Sequence, residues 1–348
     1  MNVQSILHDY YDRFHAYHGQ RFTQDQRSAL HAMLGCQQGQ YGDLLWACDQ
    51  CPAHAKQARS CGHRACNQCQ YHSTQQWLER QCQKQLPVPY YMVTFTLPYE
   101  LRATAKAHAK LVYDTLMRAA ALTLKRFGLN DKQLNAELGL CAVLHTHTRA
   151  LDYHPHVHIV IPGGGVHRAR KEWRKVKGNY LFNGRALSAA FRGECLHQLA
   201  QAGITLPATP KRWVAQCQKV GYGKQALQYL ARYLYRGVLS NQNILEDDGT
   251  YITFRYQESQ SKQWRTRRLK GEDFIALLLQ HVLPKGFRRA RDYGFLHGNA
   301  KAIMRILHWV LKVQRPPKPI KQRTERPCPL CSGVMRVCGV LPKKVQPT

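Results

Sequence analysis

The sequence predicts a protein that mixes helices and strands and carries a small cysteine-rich module near its N-terminus. Three observations support this fold class. Apolar residues recur at three- and four-residue spacing in several segments, which is typical of amphipathic helices. Short runs rich in β-branched and aromatic residues end at proline or glycine, which is typical of strands. Cysteines are dense between residues 36 and 71, where several stand in Cys-x2-Cys pairs.

The predicted elements follow one another along the whole chain. The first 34 residues read as helical, because Ile6, Tyr10, Phe14 and Tyr17 recur at helical spacing. The other predicted helices are 72–84, 101–127, 225–235, 274–283 and 300–313. The predicted strands are 90–98, 139–147, 156–161, 250–256 and 264–269, the last two forming a hairpin.

Proline-rich segments predict the domain boundaries. Prolines 87 and 89 indicate a linker, so we expect a helical and cysteine-rich domain over 1–86 and a larger domain over 87–313. Residues 314–348 form a basic, Pro-rich tail. We expect that tail to be largely disordered apart from a Cys-x2-Cys pair, Cys328 and Cys331.

The charge of the chain indicates a polyanionic partner. Lys and Arg number 51 against 21 Asp and Glu, a formal net charge of +30. Each phosphate neutralised by a cation releases counterions, so such an excess favours nucleic acid over small acidic substrates. No acidic residue occurs from Cys195 to Leu245. Lys224, Arg232 and Arg236 lie in that window and are the predicted DNA contacts; a merely solvated basic surface is the alternative.

Other sequence features indicate the cellular compartment. The N-terminus lacks a basic start followed by an apolar stretch, and no run of 18 apolar residues could cross a membrane. The 13 cysteines, an odd number, fit a reducing compartment with bound metal better than a disulfide framework. We therefore expect a cytoplasmic, nucleoid-associated protein with no membrane partner.

Two cysteine pairs in the N-terminal segment have the spacing of zinc knuckles. Cys48-x2-Cys51 and Cys66-x2-Cys69 are separated by 14 residues, close to the interval of a zinc ribbon. Four thiolates satisfy a tetrahedral Zn²⁺, which can replace a hydrophobic core in so small a module. These four cysteines are the predicted ligands of one structural zinc, and unligated thiols are the alternative.

Further cysteines and histidines remain outside that predicted site. Cys36, His54, Cys61 and His63 are candidates for a second zinc, with Cys36 and Cys61 the preferred pair. The C-terminal pair, Cys328 and Cys331, has only Cys338 nearby in sequence. It lacks an obvious fourth ligand and is a weak metal candidate.

A histidine–valine–histidine triplet on a predicted strand is a candidate metal site. Successive side chains on a strand point to opposite faces, so His156 and His158 share one face. A turn near residues 151–152 would place His147 opposite His156 and His145 opposite His158. We predict His156 and His158 as ligands of a divalent metal, with His145 or His147 as the third. The alternative is an ordinary hairpin with surface histidines.

Two tyrosines on the predicted helix 225–235 are candidate nucleophiles. Tyr229 and Tyr233 are one turn apart and share a helix face. Tyr235 lies about 240° round the helix from Tyr229 and points elsewhere. An aromatic core stripe is the alternative, but the flanking arginines suit phosphate better than a core. Tyrosine hydroxyls can attack a phosphate and form a covalent ester.

Taken together and in this order, these motifs resemble a known family. The chain is similar to the two-tyrosine HUH transposases of bacterial rolling-circle insertion sequences, which carry an N-terminal zinc-binding domain. One departure is Ala65, where relatives often have histidine, and it concerns only a second zinc site. Besides the cysteine-rich segment, the motifs that carry the resemblance are Phe95-Thr96-Leu97-Pro98, His154-Pro155-His156-Val157-His158, Pro162-Gly163-Gly164-Gly165, Tyr229-Leu230-Ala231-Arg232-Tyr233 and Val282-Leu283-Pro284-Lys285-Gly286-Phe287.

The resemblance implies both a fold and an activity. The fold would be of the α+β class, an antiparallel sheet flanked by helices as in HUH nucleases (a split ferredoxin or RRM-like arrangement), with the zinc-binding module at the N-terminus. The activity would be nicking of single-stranded transposon ends through a 5′-phosphotyrosine, with Mg²⁺ or Mn²⁺ as catalytic metal and Zn²⁺ as structural metal. No nucleotide cofactor is expected, because the ester retains the bond energy and no Gly-Lys-Ser/Thr loop occurs. The alternatives are a plasmid replication initiator or relaxase, and a non-catalytic zinc-ribbon DNA-binding protein.

Overall fold

A computed structural model describes residues 1–178, 180–223, 225, 227, 228, 230, 239–258, 261–314 and 325–343, leaving aside the side chains of 70–72. The chain forms two compact units. The first comprises Met1–Ser73, Tyr235–Val282 and Pro317–Thr348, and the second comprises Thr74–Leu234 and Leu283–Pro316. This division differs from the three consecutive domains expected from the prolines. Each unit gathers segments that are distant in sequence.

The helices are numbered here in chain order. They are α1 (Val3–Asp9), α2 (Tyr11–His18), α3 (Gln24–Leu34), α4 (Gln70–Cys82), α5 (Arg102–Ala107), α6 (Ala109–Asn130), α7 (Gly184–Gln201), α8 (Gly271–Leu279) and α9 (Lys301–Val310). The predicted helix 101–127 is thus divided at His108, whose backbone departs from helical geometry at φ −123° and ψ 46°. Most of the predicted helix 225–235 lies outside the described residues.

The strands form four antiparallel sheets among the described residues. They are β1 (Asp43–Cys48), β2 (His54–Ala58), β3 (Pro89–Thr96), β4 (Leu140–His147), β5 (Tyr153–Pro162), β6 (Gly164–His167), β7 (Glu172–Lys175), β8 (Ala215–Tyr222), β9 (Ile244–Asp247), β10 (Tyr251–Gln257), β11 (Trp264–Lys270), β12 (Ala290–Tyr293), β13 (Glu325–Pro327) and β14 (Val334–Leu341). Their orders are β13-β14-β1-β2, β11-β10-β9, β12-β4-β5-β3-β8 and β6-β7. The predicted late hairpin is confirmed as β10 and β11.

The five-stranded sheet organises the second unit. Alternate residues of β3, β4 and β5, such as Phe95, Leu144 and Val157, are fully buried in one core with residues of α6 and α7. Phe95 and Phe191 of α7, for example, pack with ring centroids 4.5 Å apart. The intervening residues of these strands lie on the opposite face by the two-residue period of a strand. The predicted α+β class, an antiparallel sheet flanked by helices, is confirmed.

The Pro162–Gly165 motif is required by close packing where β5 turns into β6. A Cβ built on Gly163 would lie 2.7 Å from the carbonyl oxygen of Pro89. One on Gly164 would lie 2.3 Å from the Trp173 ring, and one on Gly165 would lie 2.8 Å from the Cβ of Ala136. Real Cβ atoms do not approach neighbours this closely, so any side chain here would push the backbones apart. The glycines therefore allow three segments to meet at the end of the central strand.

The first unit contains the small sheet β13-β14-β1-β2. β14 pairs with the full length of β1, from Asp43 opposite Leu341 to Cys48 opposite Met335. Met335 is fully buried against Trp46, and the Arg326 guanidinium stacks 4.5 Å from the centre of the Trp46 ring. The expectation of a largely disordered tail is therefore wrong for residues 325–343. There the tail forms the second neighbour of β1 and supplies Met335, which packs with Trp46 in one small buried cluster.

Candidate metal centres

Three histidines come together on the sheet face opposite the α6–α7 core. His156 and His158 are on the central strand β5, and His145 is on its neighbour β4. Their rings form a triangle, with centroids 5.1 Å apart for His145–His156, 4.6 Å for His145–His158 and 4.9 Å for His156–His158. One ring nitrogen of each lies within 4.8 Å of one from each of the others. The arrangement can hold one metal ion with three nitrogen ligands.

The strand register that builds this triangle differs from the predicted one. His145 lies opposite His156, and Val143 lies opposite His158. A bulge between His145 and His147 then places His147 opposite Tyr153. The predicted pairs, His147 with His156 and His145 with His158, are therefore wrong. For His145, His156 and His158 the pairing is displaced by two residues, so these three keep the predicted face and His145 rather than His147 joins the cluster.

Burial keeps these imidazoles in the form that binds metals. Desolvation lowers the pKa of His156 to about 4 and the pKa of His158 to about 3. The pKa of His145 is also held well below its ordinary value, first by burial and then by repulsion from His158. A neutral imidazole has a lone pair to donate, whereas a protonated one does not. The three side chains are therefore ready as ligands at neutral pH.

Hydrogen bonds from neighbouring groups orient two of the three rings. The Nδ1 atom of His156 lies 2.6 Å from the carbonyl oxygen of His154, which can only accept, so this nitrogen carries the proton. The Nδ1 atom of His158 lies 2.8 Å from the hydroxyl oxygen of Thr94 on β3. When Nδ1 of a histidine is held in this way, Nε2 is left to face the metal. Thr94 therefore fixes the orientation of the His158 ring, and the His154 carbonyl fixes that of the His156 ring.

Two arginines lie beside the histidine cluster. Arg102, at the start of α5, donates from Nη2 to Nδ1 of His154 at 2.5 Å. The backbone of Arg289 pairs with Leu144 of β4, and its positive charge contributes to the lowered pKa of His145. Guanidinium groups recognise phosphate oxygens through paired N–H donors. Positive charge suited to phosphate therefore lies beside the three histidines.

Replacing Thr94 with valine is expected to weaken metal binding about 10- to 100-fold, the usual effect of removing a group that supports a metal ligand. Valine has nearly the shape of threonine but cannot hold Nδ1 of His158. The dissociation constant for Mn²⁺, measured by calorimetry, checks this result. Thr146→Val is the matched control, because Thr146 is fully buried and its hydroxyl has no hydrogen-bond partner among the described residues. Equal Mn²⁺ affinity in both variants would contradict the role of Thr94.

The cysteines form two clusters, and neither is the predicted one. Cys66 and Cys69 lie with Cys36 and Cys61, whereas Cys48 and Cys51 lie with two cysteines of the C-terminal segment. The prediction of one zinc held by Cys48, Cys51, Cys66 and Cys69 is therefore wrong. Sequence proximity suggested that the two knuckles share an ion. In the fold, each knuckle instead meets cysteines brought by another segment.

The first cluster consists of Cys36, Cys61, Cys66 and Cys69. Their sulfurs are close: 3.5 Å for Cys36–Cys69, 3.4 Å for Cys61–Cys69 and 3.6 Å for Cys66–Cys36. The backbone amide of Cys61 points at the sulfur of Cys36, and that of His63 points at the sulfur of Cys61, each at 3.4 Å. Cys36 and Cys61, the preferred second pair of the sequence analysis, thus meet Cys66 and Cys69. Neither His54 nor His63 belongs to the cluster.

Several predicted functional residues fall outside the described part of the chain. They are Tyr229, Tyr233, Lys224, Arg232 and Arg236. Their roles stay predictions from sequence. Conversely, sequence reasoning did not identify Thr94 and Arg102 as supporting residues. Thr94 directly precedes the Phe95–Pro98 motif, which was the one available signal for it.

Comparisons with known proteins agree with this picture. A family described as "Putative transposase" matches residues 139–302, which include all three clustered histidines. A second family, described as "Transposase zinc-binding domain", matches residues 6–97, which include the cluster Cys36, Cys61, Cys66 and Cys69. The two matches cover separate parts of the chain. Both describe a DNA transposase.

Two relatives are named as transposases as well. "Putative transposase y4qJ" of Sinorhizobium fredii (strain NBRC 101917 / NGR234) is 32% identical over 318 residues, covering 84% of this chain and 80% of the relative. The "Transposase for insertion sequence element IS801" of Pseudomonas savastanoi pv. phaseolicola is 27% identical over 291 residues, covering 76% and 68%. The chain belongs to this family, the two-tyrosine HUH transposases of bacterial insertion sequences with an N-terminal zinc-binding domain.

Solved structures with some similarity include the conjugative relaxase TrwC. Its complex with a 27-mer DNA has a TM-score of 0.29 and 16% identity, covering 65% of this chain and 75% of that chain. Its metal-bound complex with OriT DNA has a TM-score of 0.28 and 17% identity, covering 64% and 72%. This similarity is too low to bear on the assignment. Across the described part of the chain, no helix combines the length and apolar character needed to cross a membrane.

Proposed function

We propose that the protein nicks single-stranded transposon ends through a 5′-phosphotyrosine intermediate and moves its element by a rolling-circle-like mechanism. The observation that carries the proposal is the triangle of His145, His156 and His158 on the sheet of a chain from this family. Three neutral imidazoles, two of them oriented by hydrogen bonds, with arginines beside them suit a metal-assisted reaction at a phosphate. A replication initiator or relaxase would use the same chemistry, but the relatives of this chain are named as transposases, one of them for an insertion sequence element.

His145, His156 and His158 would hold the catalytic cation, Mg²⁺ or Mn²⁺. Nitrogen donors suit Mn²⁺ better than Mg²⁺, so the donor set favours Mn²⁺. Three ligands leave coordination positions for oxygen atoms of the DNA. A divalent cation bound there would polarise a phosphoryl oxygen as a Lewis acid. Thr94 and the His154 carbonyl keep the rings in place and so limit the reorganisation needed during the reaction.

Tyr229 and Tyr233 are the proposed nucleophiles. The phenolic oxygen of one tyrosine forms a bond to phosphorus and loses its proton, while the bond from phosphorus to the 3′-oxygen breaks. The 3′-oxygen takes up a proton and leaves as a free hydroxyl, and the 5′ side stays attached to the tyrosine. The ester conserves the energy of the broken bond, so no ATP is required. The second tyrosine can then perform the later cleavage or the strand transfer.

Basic residues would bind the DNA backbone. Lys224, Arg232 and Arg236 flank the tyrosines in sequence, and Arg102 lies next to the histidine cluster. Such contacts depend on salt, because binding releases counterions from the DNA. A protein acting in this way would work in the cytoplasm at the nucleoid.

Cys36, Cys61, Cys66 and Cys69 are the proposed ligands of the structural zinc in the N-terminal zinc-binding domain. In a tetrahedral site with Zn–S bonds of about 2.3 Å, sulfurs lie about 3.8 Å apart. The distances of 3.4–3.6 Å between sulfurs of this cluster are close to that value. Zinc would tie Cys36, just after α3, to the loop and knuckle that carry Cys61, Cys66 and Cys69.

A covalent-adduct assay tests the proposed function. The full-length protein is incubated with labelled single-stranded DNA from the ends of its element, with Mg²⁺, Mn²⁺ or EDTA. We expect a labelled protein band on a denaturing gel and a released strand ending in a 3′-hydroxyl, in the presence of the metal only. Duplex DNA of the same sequence serves as the substrate control. Cleavage without any protein-linked DNA would refute the phosphotyrosine mechanism.

A further inference from the structure

A second four-cysteine cluster joins the two ends of the chain. Cys48 and Cys51 lie at the turn between β1 and β2, and Cys328 and Cys331 lie at the turn between β13 and β14. We propose that these four cysteines bind a second structural Zn²⁺, which clasps the C-terminal strand pair to the N-terminal hairpin. The match to the transposase zinc-binding domain, over residues 6–97, includes Cys48 and Cys51 but not the other two cysteines of this site.

The distances between the sulfurs fit one tetrahedral zinc ion. Sγ of Cys48 lies 3.6 Å from Sγ of Cys331, and Sγ of Cys51 lies 3.7 Å from Sγ of Cys328. All four sulfurs lie within 4.8 Å of one another. A tetrahedron with Zn–S bonds of about 2.3 Å requires a separation of about 3.8 Å. Disulfides would require sulfurs about 2.05 Å apart, so the same distances do not describe two disulfide bonds.

The two turns present their sulfurs to backbone amides in the same way. The amide of Gln50 points at the Cys48 sulfur, and the amide of Gly333 points at the Cys331 sulfur, each at 3.4 Å. Backbone hydrogen bonds from Ala53 to Cys51 and from Leu330 to Cys328 complete the pattern.

In each turn, therefore, both sulfurs accept a hydrogen bond from the residue two positions further on. Amide donors stabilise the negative charge that a sulfur carries as a metal ligand. The two Cys-x2-Cys turns are thus matching halves of one site, although 277 positions separate Cys51 from Cys328.

Strand pairing brings the halves together. The last residue of β1, Cys48, lies opposite Met335 near the start of β14, and the amide of Asp49 donates to the carbonyl of Val334. The turns that follow β1 and precede β14 must therefore lie at the same end of the sheet. Arg336 adds ion pairs to Asp49 and Glu325 across this region.

The apolar core beneath the cluster is small. Its buried members are Trp46, Ala53, Met335 and Cys328 itself. Such a core buries too little surface to order two hairpins from opposite ends of a chain. A zinc ion supplies the missing stabilisation in modules of this size, because ligand binding is coupled to folding. The described C-terminal strands therefore depend on the metal more than on packing.

Zinc content of the full-length protein, purified under reducing conditions without chelators, tests the clasp. Elemental analysis is expected to give one zinc ion fewer per chain for the Cys328→Ser/Cys331→Ser variant than for the wild type. The matched control is Cys338→Ser, because Cys338 is exposed on β14 and belongs to neither cluster. It should retain the full wild-type content. A double variant that keeps the wild-type zinc content would overturn the proposal.

A second set of measurements uses wild-type protein, so the clasp stays testable if the Cys328→Ser/Cys331→Ser variant fails to fold. Wild-type protein in which cobalt replaces zinc should show thiolate-to-cobalt absorption that corresponds to eight sulfurs, four for each of two ions. Stepwise chelation followed by hydrogen exchange should expose amides of β13 and β14 together with the turn at Cys48–Cys51. Unchanged protection of β14 in fully metal-free protein would exclude the clasp. None of these measurements uses DNA, so failure of the clasp and failure of the transposase proposal are separate outcomes.

Discussion

Alanine at His156 or His158 is expected to reduce nicking of single-stranded DNA by about 10³-fold or more, which corresponds to about 4 kcal/mol of transition-state stabilisation. The two rings are adjacent in the triangle with His145, and each provides one of three nitrogens for the cation. With two ligands the ion would be held weakly, and its polarising effect on the phosphate would be lost. The rate of adduct formation in saturating Mn²⁺ measures the effect.

The same substitutions should leave DNA affinity within a few-fold of the wild type. Affinity for the DNA backbone comes mainly from Lys and Arg contacts, and neither histidine carries charge at neutral pH because burial lowers both pKa values. His197→Ala is the control, since His197 is exposed on α7, away from the sheet. Nicking at the wild-type rate by His158→Ala would show that the cluster is not the catalytic metal site.

Phenylalanine at Tyr229 and Tyr233 together is expected to eliminate the covalent adduct. Phenylalanine keeps the ring and removes only the hydroxyl, so packing is preserved while the nucleophile is lost. Each single change should impair transposition in cells. In vitro, one single variant can still form an adduct if the remaining hydroxyl reaches the phosphate. Labelled DNA and a denaturing gel give the readout.

Tyr235→Phe is the matched control for the tyrosines. It lies in the same predicted helix but points about 240° away from Tyr229, so its hydroxyl should be dispensable. A core role for the tyrosines would make all three changes equally mild. Peptide mapping of the adduct then identifies the linked residue. A DNA-bearing peptide that contains Tyr235, or any tyrosine outside this helix, would disprove the assignment.

The main elements of the large unit could be predicted because their signals are local. The buried runs 90–98 and 139–147 and the triplet around His156 carry β-branched and aromatic residues between proline and glycine stops, and they became β3, β4 and β5. The two-residue period of a strand placed His156 and His158 on one face without any knowledge of the fold. It also placed Val157 on the other face, where it is fully buried in the core.

The third histidine of the cluster, His145, could not be identified from the two-residue strand period alone. The pairing of β4 with β5 is displaced by two residues from the predicted one, and the register changes by one more residue between His145 and His147; neither feature has a clear sequence signature here. Because a shift of two preserves the face, His145 stayed a candidate although its predicted partner was wrong. The supporting contact from Thr94 also required the register of β3 against β5, which pairs Thr94 with His158.

The sequence therefore determined which residue types each site uses. The tertiary structure decided which particular residues come together in it. Residue type and short spacing sufficed to single out His-x-His as a candidate metal pair and Cys-x2-Cys as candidate zinc knuckles, because both patterns belong to a few neighbouring residues. Which knuckles meet depends on the pairing of β1 with β14, which brings Cys51 to Cys328 across 277 positions. Loop-closure entropy rises only slowly with length, so such distant partners are accessible to a folding chain. Distance along the sequence therefore could not predict which Cys-x2-Cys pairs come together. The register of β1 against β14 decides it.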